Sequence, residues 1–209
     1  MLAVIATAAI VSGCASSGGY KQADKTGEGI ADFRDEVVNL KKAVDVNMTS
    51  LRQISESAAT DPRKAFEAFA KSVDKVEDAR AKAGKRAADV KAAGAAYFKQ
   101  WEAQLADISN PDIRKLAEER KAKLNEIFAK VGPLLEKAKG DFDPYLADIK
   151  DLRTFLSQDL TVAGVDAVKG TIQKTRDHGV ELQKSLDALI DEMNSVSAAL
   201  TPAKVPQKK

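Results

Sequence analysis

Few residues in this 209-residue chain combine a reactive side chain with a useful spacing. His178 is the only histidine, with Asp177 before it and Glu181 three residues later. A di-metal bundle draws carboxylates from several helices and needs two Glu-x-x-His elements, and a zinc site takes more than one soft ligand. One histidine meets neither demand. His178 therefore reads as a residue on a solvated helix face, and no metal or other cofactor is expected. Cys14 is the only thiol, so no intrachain disulfide can form. The Ser/His/Asp and Cys/His sets that activate a nucleophile lack their usual parts, and neither a P-loop nor a dinucleotide glycine pattern occurs. The expectation is a protein that is not an enzyme.

Three further groupings carry physical meaning. Arg80, Lys82, Lys85, Arg86 and Lys91 face only Asp89 within their stretch. They read either as a solvated bundle face or as a contact for lipid headgroups or another anionic envelope polymer. Tyr97, Phe98 and Trp101 are the densest aromatic cluster, and their spacing is that of a core stripe. Asn47 falls at a heptad core position, where a polar side chain sets register rather than binding a ligand.

Cys14 gains its meaning from what surrounds it. Leu2 to Val11 is an uncharged run of ten residues, too short to span a bilayer, which takes about 20. It has the length of a signal-peptide apolar segment. Val11-Ser12-Gly13-Cys14 resembles the bacterial lipobox, which implies diacylglycerol on the Cys14 sulfur and cleavage before it. Ala15-Ser16-Ser17-Gly18-Gly19 suits a flexible tether. Two acyl chains at one residue, each stabilised by ~0.8 kcal/mol per buried methylene, make a durable membrane anchor. A residue other than Asp after such a cysteine implies release to the outer membrane, so Ala15 favours that membrane, facing the periplasm, in a Gram-negative source. No Lys or Arg precedes the apolar run, and the native start is expected upstream unless the chain was trimmed. The competing reading is a buried apolar strand ending in an ordinary cysteine.

The elements that carry these residues are helices. The chain is 44% hydrophobic and 31% charged but only 5% aromatic, a mixture that favours helix and disfavours strand. A formal net charge of +2 lacks the basic excess of a nucleic-acid surface, so no nucleic acid is expected as partner. Apolar positions from Ile30 to Ile54 step by three and four. Thr60-Asp61-Pro62 ends that helix and starts the next, with Thr60 as cap and Pro62 in a first turn. The second stripe runs from Phe66 to Leu105 and stops at Ser109-Asn110-Pro111. The third begins at Ile113 and Leu116 and reaches Leu156, with Pro133 expected to kink it and Gly140 and Pro144 to bend or break it again. The last, capped by Thr161, keeps a heptad from Val165 to Leu200. Short breaks make consecutive helices antiparallel. The expected fold is all-α: an elongated antiparallel bundle of about four long coiled-coil-like helices. The divisions are a signal peptide over 1–13, lipidated Cys and tether over 14–29, a helical bundle over 30–201, and a basic disordered tail over 202–209.

With the helices placed, the chain resembles an uncharacterised bacterial family known as domain of unknown function 2959, whose members are also predicted lipoproteins. The likeness rests on Lys75-Val76-Glu77-Asp78-Ala79-Arg80, on Trp101-Glu102 followed by Ser109-Asn110, and on Pro144 to Leu160. It covers roughly residues 35 to 198. Where the family tends to carry a Lys-His-Asn cluster, this chain has Ser157-Gln158-Asp159. The resemblance implies a helical envelope protein and no activity. The function expected is a lipid-anchored, non-enzymatic bundle binding or spacing envelope partners, held to the membrane through Cys14 and meeting a protein partner or itself through its helices. The alternatives are an oligomerising or membrane-surface scaffold using Arg80 to Lys91, and an enzyme or ligand carrier with an interior pocket between kinked helices near Pro133.

Overall fold

A chain rich in alanine, lysine, leucine and glutamate offers helix at nearly every position, and short polar breaks then decide where it turns. The computed structural model describes residues 18–201. Its elements are α1 (Gly18–Ser57), α2 (Arg63–Ala106), α3 (Pro111–Gln158), α4 (Val162–Ala167) and α5 (Lys169–Leu200). At 1.5 Å per residue, the 44 residues of α2 and 48 of α3 extend about 66 and 72 Å.

The four long helices close into a ring: α1 packs on α2 and α5, and α3 packs on α5 and α2. Every neighbouring pair is antiparallel, as paired residues show. Across α1 and α2, Gly19 meets Gln104 while Asn47 meets Ser72. Across α3 and α5, Arg120 meets Ala199 while Asp148 meets His178. The expected stripes supply the core, with Phe33, Leu51, Ile54, Phe69, Tyr145, Leu156 and Leu182 all essentially inaccessible to water. Each such apolar side chain contributes on the order of 1.5–3 kcal/mol.

Several boundaries differ from expectation. Helix α1 begins at Gly18, so most of the stretch read as tether is helical, and Thr26 within it is buried. Its polar and glycine-rich sequence hid a face that packs against the ends of α2 and α5, where Gly19 meets Gln104 and Gly27 meets Leu200. Asp61, not Thr60, serves the start of α2: its carboxylate accepts from the Arg63 amide at 3.1 Å, and Pro62 stands just before the first turn. The Thr60 hydroxyl instead donates back to the Ser57 carbonyl at 3.0 Å and closes α1. The third helix is one unbroken element with Pro133 and Pro144 inside it. The last is divided, since Val168 turns between α4 and α5. Gly164 is required there, because a Cβ would lie 2.4 Å from the Asp159 carbonyl oxygen. Ile113 and Leu116, read as core, are 55% and 65% exposed. Helix α5 ends opposite Arg120, so the first turns of α3 extend beyond the other described helices. Thr161 caps α4 as expected, and the Ser109-Asn110-Pro111 stop of α2 also starts α3, with Asn110 as its cap and Pro111 at its first position.

Candidate functional site

Of the four seams in the ring, the one between α2 and α3 is open along its middle. Two adjoining recesses of about 520 and 700 Å³ lie there. They share Phe33, Ala87, Lys91, Leu135 and Glu136, which makes them one continuous groove. Its walls are small residues: Ala81, Gly84, Ala88 and Ala95 on α2, and Ala129, Gly132 and Ala138 on α3. Small side chains would let two helices approach closely, since interaxial distance follows the residues at the contact. Bulky pairs at both ends hold the axes apart instead. At one end Phe98 meets Phe128 edge to face at 5.2 Å, and Phe128 also presses on Gly94. At the other end the Arg80 guanidinium lies over the Phe142 ring, 5.1 Å from its centre. Between these spacers a recess remains above an apolar floor of Phe33, Val37, Leu189 and Met193, which are themselves buried.

Ion pairs strap the seam only outside this stretch. Asp74 pairs with Arg153 at 2.7 Å, Glu77 with Lys150 at 3.0 Å and Arg80 with Asp143 at 3.3 Å, while Glu102 pairs with Lys121 beyond the aromatic end. The rim is balanced in charge, Arg80, Lys91 and Lys139 against Glu77, Glu136 and Asp143. Pro133 lies at the edge of the groove, between Gly132 and Leu135 of the lining. Having no amide, it leaves the Ala129 carbonyl without its intrahelical donor, and Ala129 is itself part of the wall. The recess thus runs past Pro133 at the surface of the seam, above a buried floor. The sequence reading named Pro133 but missed the groove, because alanine at a helical position signals neither core nor cavity by itself.

Within the basic stretch the two arginines are engaged by carboxylates. Arg80 is engaged with Asp143 and Phe142, and Arg86 reaches Asp32 at 3.5 Å and Asp89 at 3.9 Å. Lys82, Lys85 and Lys91 stay exposed, with no ion pair among the described residues, and Lys91 points to the groove rim. The aromatic cluster does pack as core, Tyr97 meeting Phe98 at 5.4 Å and Trp101 at 5.6 Å. Burial raises the Tyr97 hydroxyl above its ordinary pKa. Cys14 and the basic tail lie outside the described residues.

Two polar groupings emerge that were only half legible. Asn47 is fully buried and donates to the Ser72 hydroxyl at 2.8 Å while accepting from the Tyr145 hydroxyl at 2.7 Å. The Ser72 hydroxyl in turn donates to the Phe69 carbonyl at 2.6 Å. Burial, with Asp45 adding repulsion, pushes the Tyr145 hydroxyl far above the usual phenol range, so it remains a neutral donor. The chain of bonds ties α1, α2 and α3 together and leaves no member free for chemistry. His178 does not simply face solvent: its Nδ1 lies 2.9 Å from Asp148 across the α3–α5 seam, with both side chains half-buried. Among the described residues no group of three or more His, Cys, Asp or Glu is placed to hold a metal ion. No described helix is long and apolar enough to cross a membrane.

Fold and groove together define a four-helix antiparallel bundle with one unclosed seam. The chain belongs to the family described as Protein of unknown function (DUF2959), which matches residues 15–200. No curated protein and no solved structure matches it.

Proposed function

We propose that this protein is a lipid-anchored, non-enzymatic bundle of the bacterial cell envelope that binds an amphipathic helix of a partner protein in the α2–α3 seam. The anchor rests on Val11-Ser12-Gly13-Cys14 and its apolar leader, and Ala15 favours the periplasmic face of the outer membrane in a Gram-negative source. The binding role rests on one observation, the open groove. Its length between the spacers, from Arg80 to Phe98 on α2, is about 27 Å at helical rise, enough for several turns of a second helix. Walls of alanine and glycine admit a helix backbone closely, and an apolar floor accepts side chains at i, i+3, i+4 and i+7. The balanced rim suits the mixed charges that flank an amphipathic ridge and gives no preference for a polyanion.

A photo-cross-linking side chain at Ala88, in protein expressed from its native start, tests the reading. A single discrete adduct is expected in membranes, absent when the probe stands at exposed Lys174 instead. Gly84→Leu, whose added side chain has open space to enter, should erase the adduct while helicity is retained. Equal labelling from both positions would end the groove proposal. Intact mass and fractionation beside Cys14→Ala test the anchor: loss of the leader and gain of acyl mass only in the wild type support it.

A further inference from the structure

We propose that the end of the bundle where α1 starts and α2 turns into α3 is a tip that lies on the lipid surface, with Ile113, Leu116 and Tyr20 set into the headgroup layer. This rests on the proposed acylation of Cys14. Only three residues separate Cys14 from Gly18, the first helical residue, so the chain between them spans at most about 14 Å. An anchored protein therefore cannot hold this end far from the bilayer.

The geometry of the tip fits that placement. Glu102 pairs with Lys121 and Gly19 meets Gln104, which sets the register of α1, α2 and α3. Counting rise from those contacts, Ile113 projects roughly 9 Å beyond Gly19, at the end where α1 begins. Ile113 and Leu116 lie on one face and are more than half exposed, as is Tyr20. Tyr20 on α1 and the Ile113–Leu116 pair on α3 share one end of the bundle, and exposed large apolar side chains there mark an interaction surface. The corner that presents them is well braced. Asn110 accepts from the Asp112 and Ile113 amides at 2.9 and 3.2 Å. Arg114 donates twice to the Ile108 carbonyl, at 3.0 and 2.6 Å. Trp101 and Tyr20 together line a shallow recess beside the tip, and such amphipathic rings favour the headgroup level. Helix α5 also ends here, and the sequence after it carries Lys204, Lys208 and Lys209, which complement anionic lipid.

The test uses the full-length acylated protein in vesicles of phosphatidylethanolamine and phosphatidylglycerol. Leu116→Cys, Ile113→Cys and Tyr20→Cys each take an environment-sensitive fluorophore, since acylation leaves no other thiol. Val162→Cys is the control, equally apolar and exposed but at the opposite end. Lipids brominated near the headgroup should quench the three tip labels several-fold more than the control. Ile113→Asp with Leu116→Asp should keep the protein on vesicles and abolish quenching of the label at position 20. Tip labels as open to aqueous iodide as the control, on a protein of correct acyl mass, would overturn the tip while the anchor stood. Labels shielded from iodide and lipid alike would assign the face to the chain's own tail or a second copy, and overturn it too. A protein without acyl mass would fail the anchor reading, and this inference with it.

Discussion

Asn47 is the single polar residue in an otherwise apolar stripe, and its value depends on partners that lie 25 and 98 residues away. A half-satisfied buried amide would cost more than an apolar side chain, so the Ser72 and Tyr145 hydroxyls are what make it tolerable. Tyr145→Phe should leave the Asn47 carbonyl without a donor and lower unfolding free energy by about 1–3 kcal/mol in urea titration. Thr26 is the opposite case. Its hydroxyl is buried with no hydrogen-bond partner among the described residues, and Thr26→Val should raise stability by about 1 kcal/mol in the same assay. Asp141 carries a pH dependence. Lys137 and then the Ser185 hydroxyl hold its carboxyl below the ordinary carboxylate range. A depressed folded pKa stabilises the native state above the ordinary value, and that contribution disappears as pH falls through the folded one. Asp141→Asn should therefore flatten the acid side of the stability profile below about pH 4 and lower stability at neutral pH.

At the scale of elements, caps and glycines decide where helices end and how closely they pass. Asn110 satisfies two amides at the start of α3, and Asn110→Ala should cost about 0.5–2 kcal/mol in thermal or urea unfolding. Two glycines offer a sharper comparison. A Cβ at Gly179 would lie 2.4 Å from the Met48 sulfur and 3.0 Å from the Tyr145 ring, whereas one at Gly84 meets nothing within 4 Å. Gly179→Ala should destabilise by about 1–3 kcal/mol, because Tyr145 is held by its hydrogen bonds and cannot withdraw. Gly84→Ala should stabilise by about 0.5–1 kcal/mol through helix propensity alone. Equal effects at the two positions would contradict the packing described. Spacing made the four long helices legible and Thr161 was legible as a cap, whereas Ser109-Asn110-Pro111 was legible only as a stop and its role as the start of α3 was not. The start of α1 was not legible either, because Gly18 to Gly29 lacks an apolar period and is helical only where other helices cover it.

For the whole molecule, the open seam and the overhanging tip arise from lengths and side-chain sizes that differ between helices. An all-α antiparallel bundle followed from the heptad stripes and short breaks, since each amphipathic helix must bury one face and a short connection reverses direction. The lipobox-like Cys14 also belongs to the sequence alone, being a local recognition pattern that needs no fold. Tertiary structure decided the rest. Whether Ala81 to Ala95 and Ala129 to Ala138 meet or stand apart depends on Phe128 and Phe142, which belong to a different part of the stripe and act as spacers. Ile113 and Leu116 have the same apolar pattern as buried Leu124, and only the end of α5 opposite Arg120 separates exposed from buried. Periodicity specifies which face of a helix is apolar; what covers that face is set by neighbours distant in the chain, and their ends and bulk are not written in the helix itself.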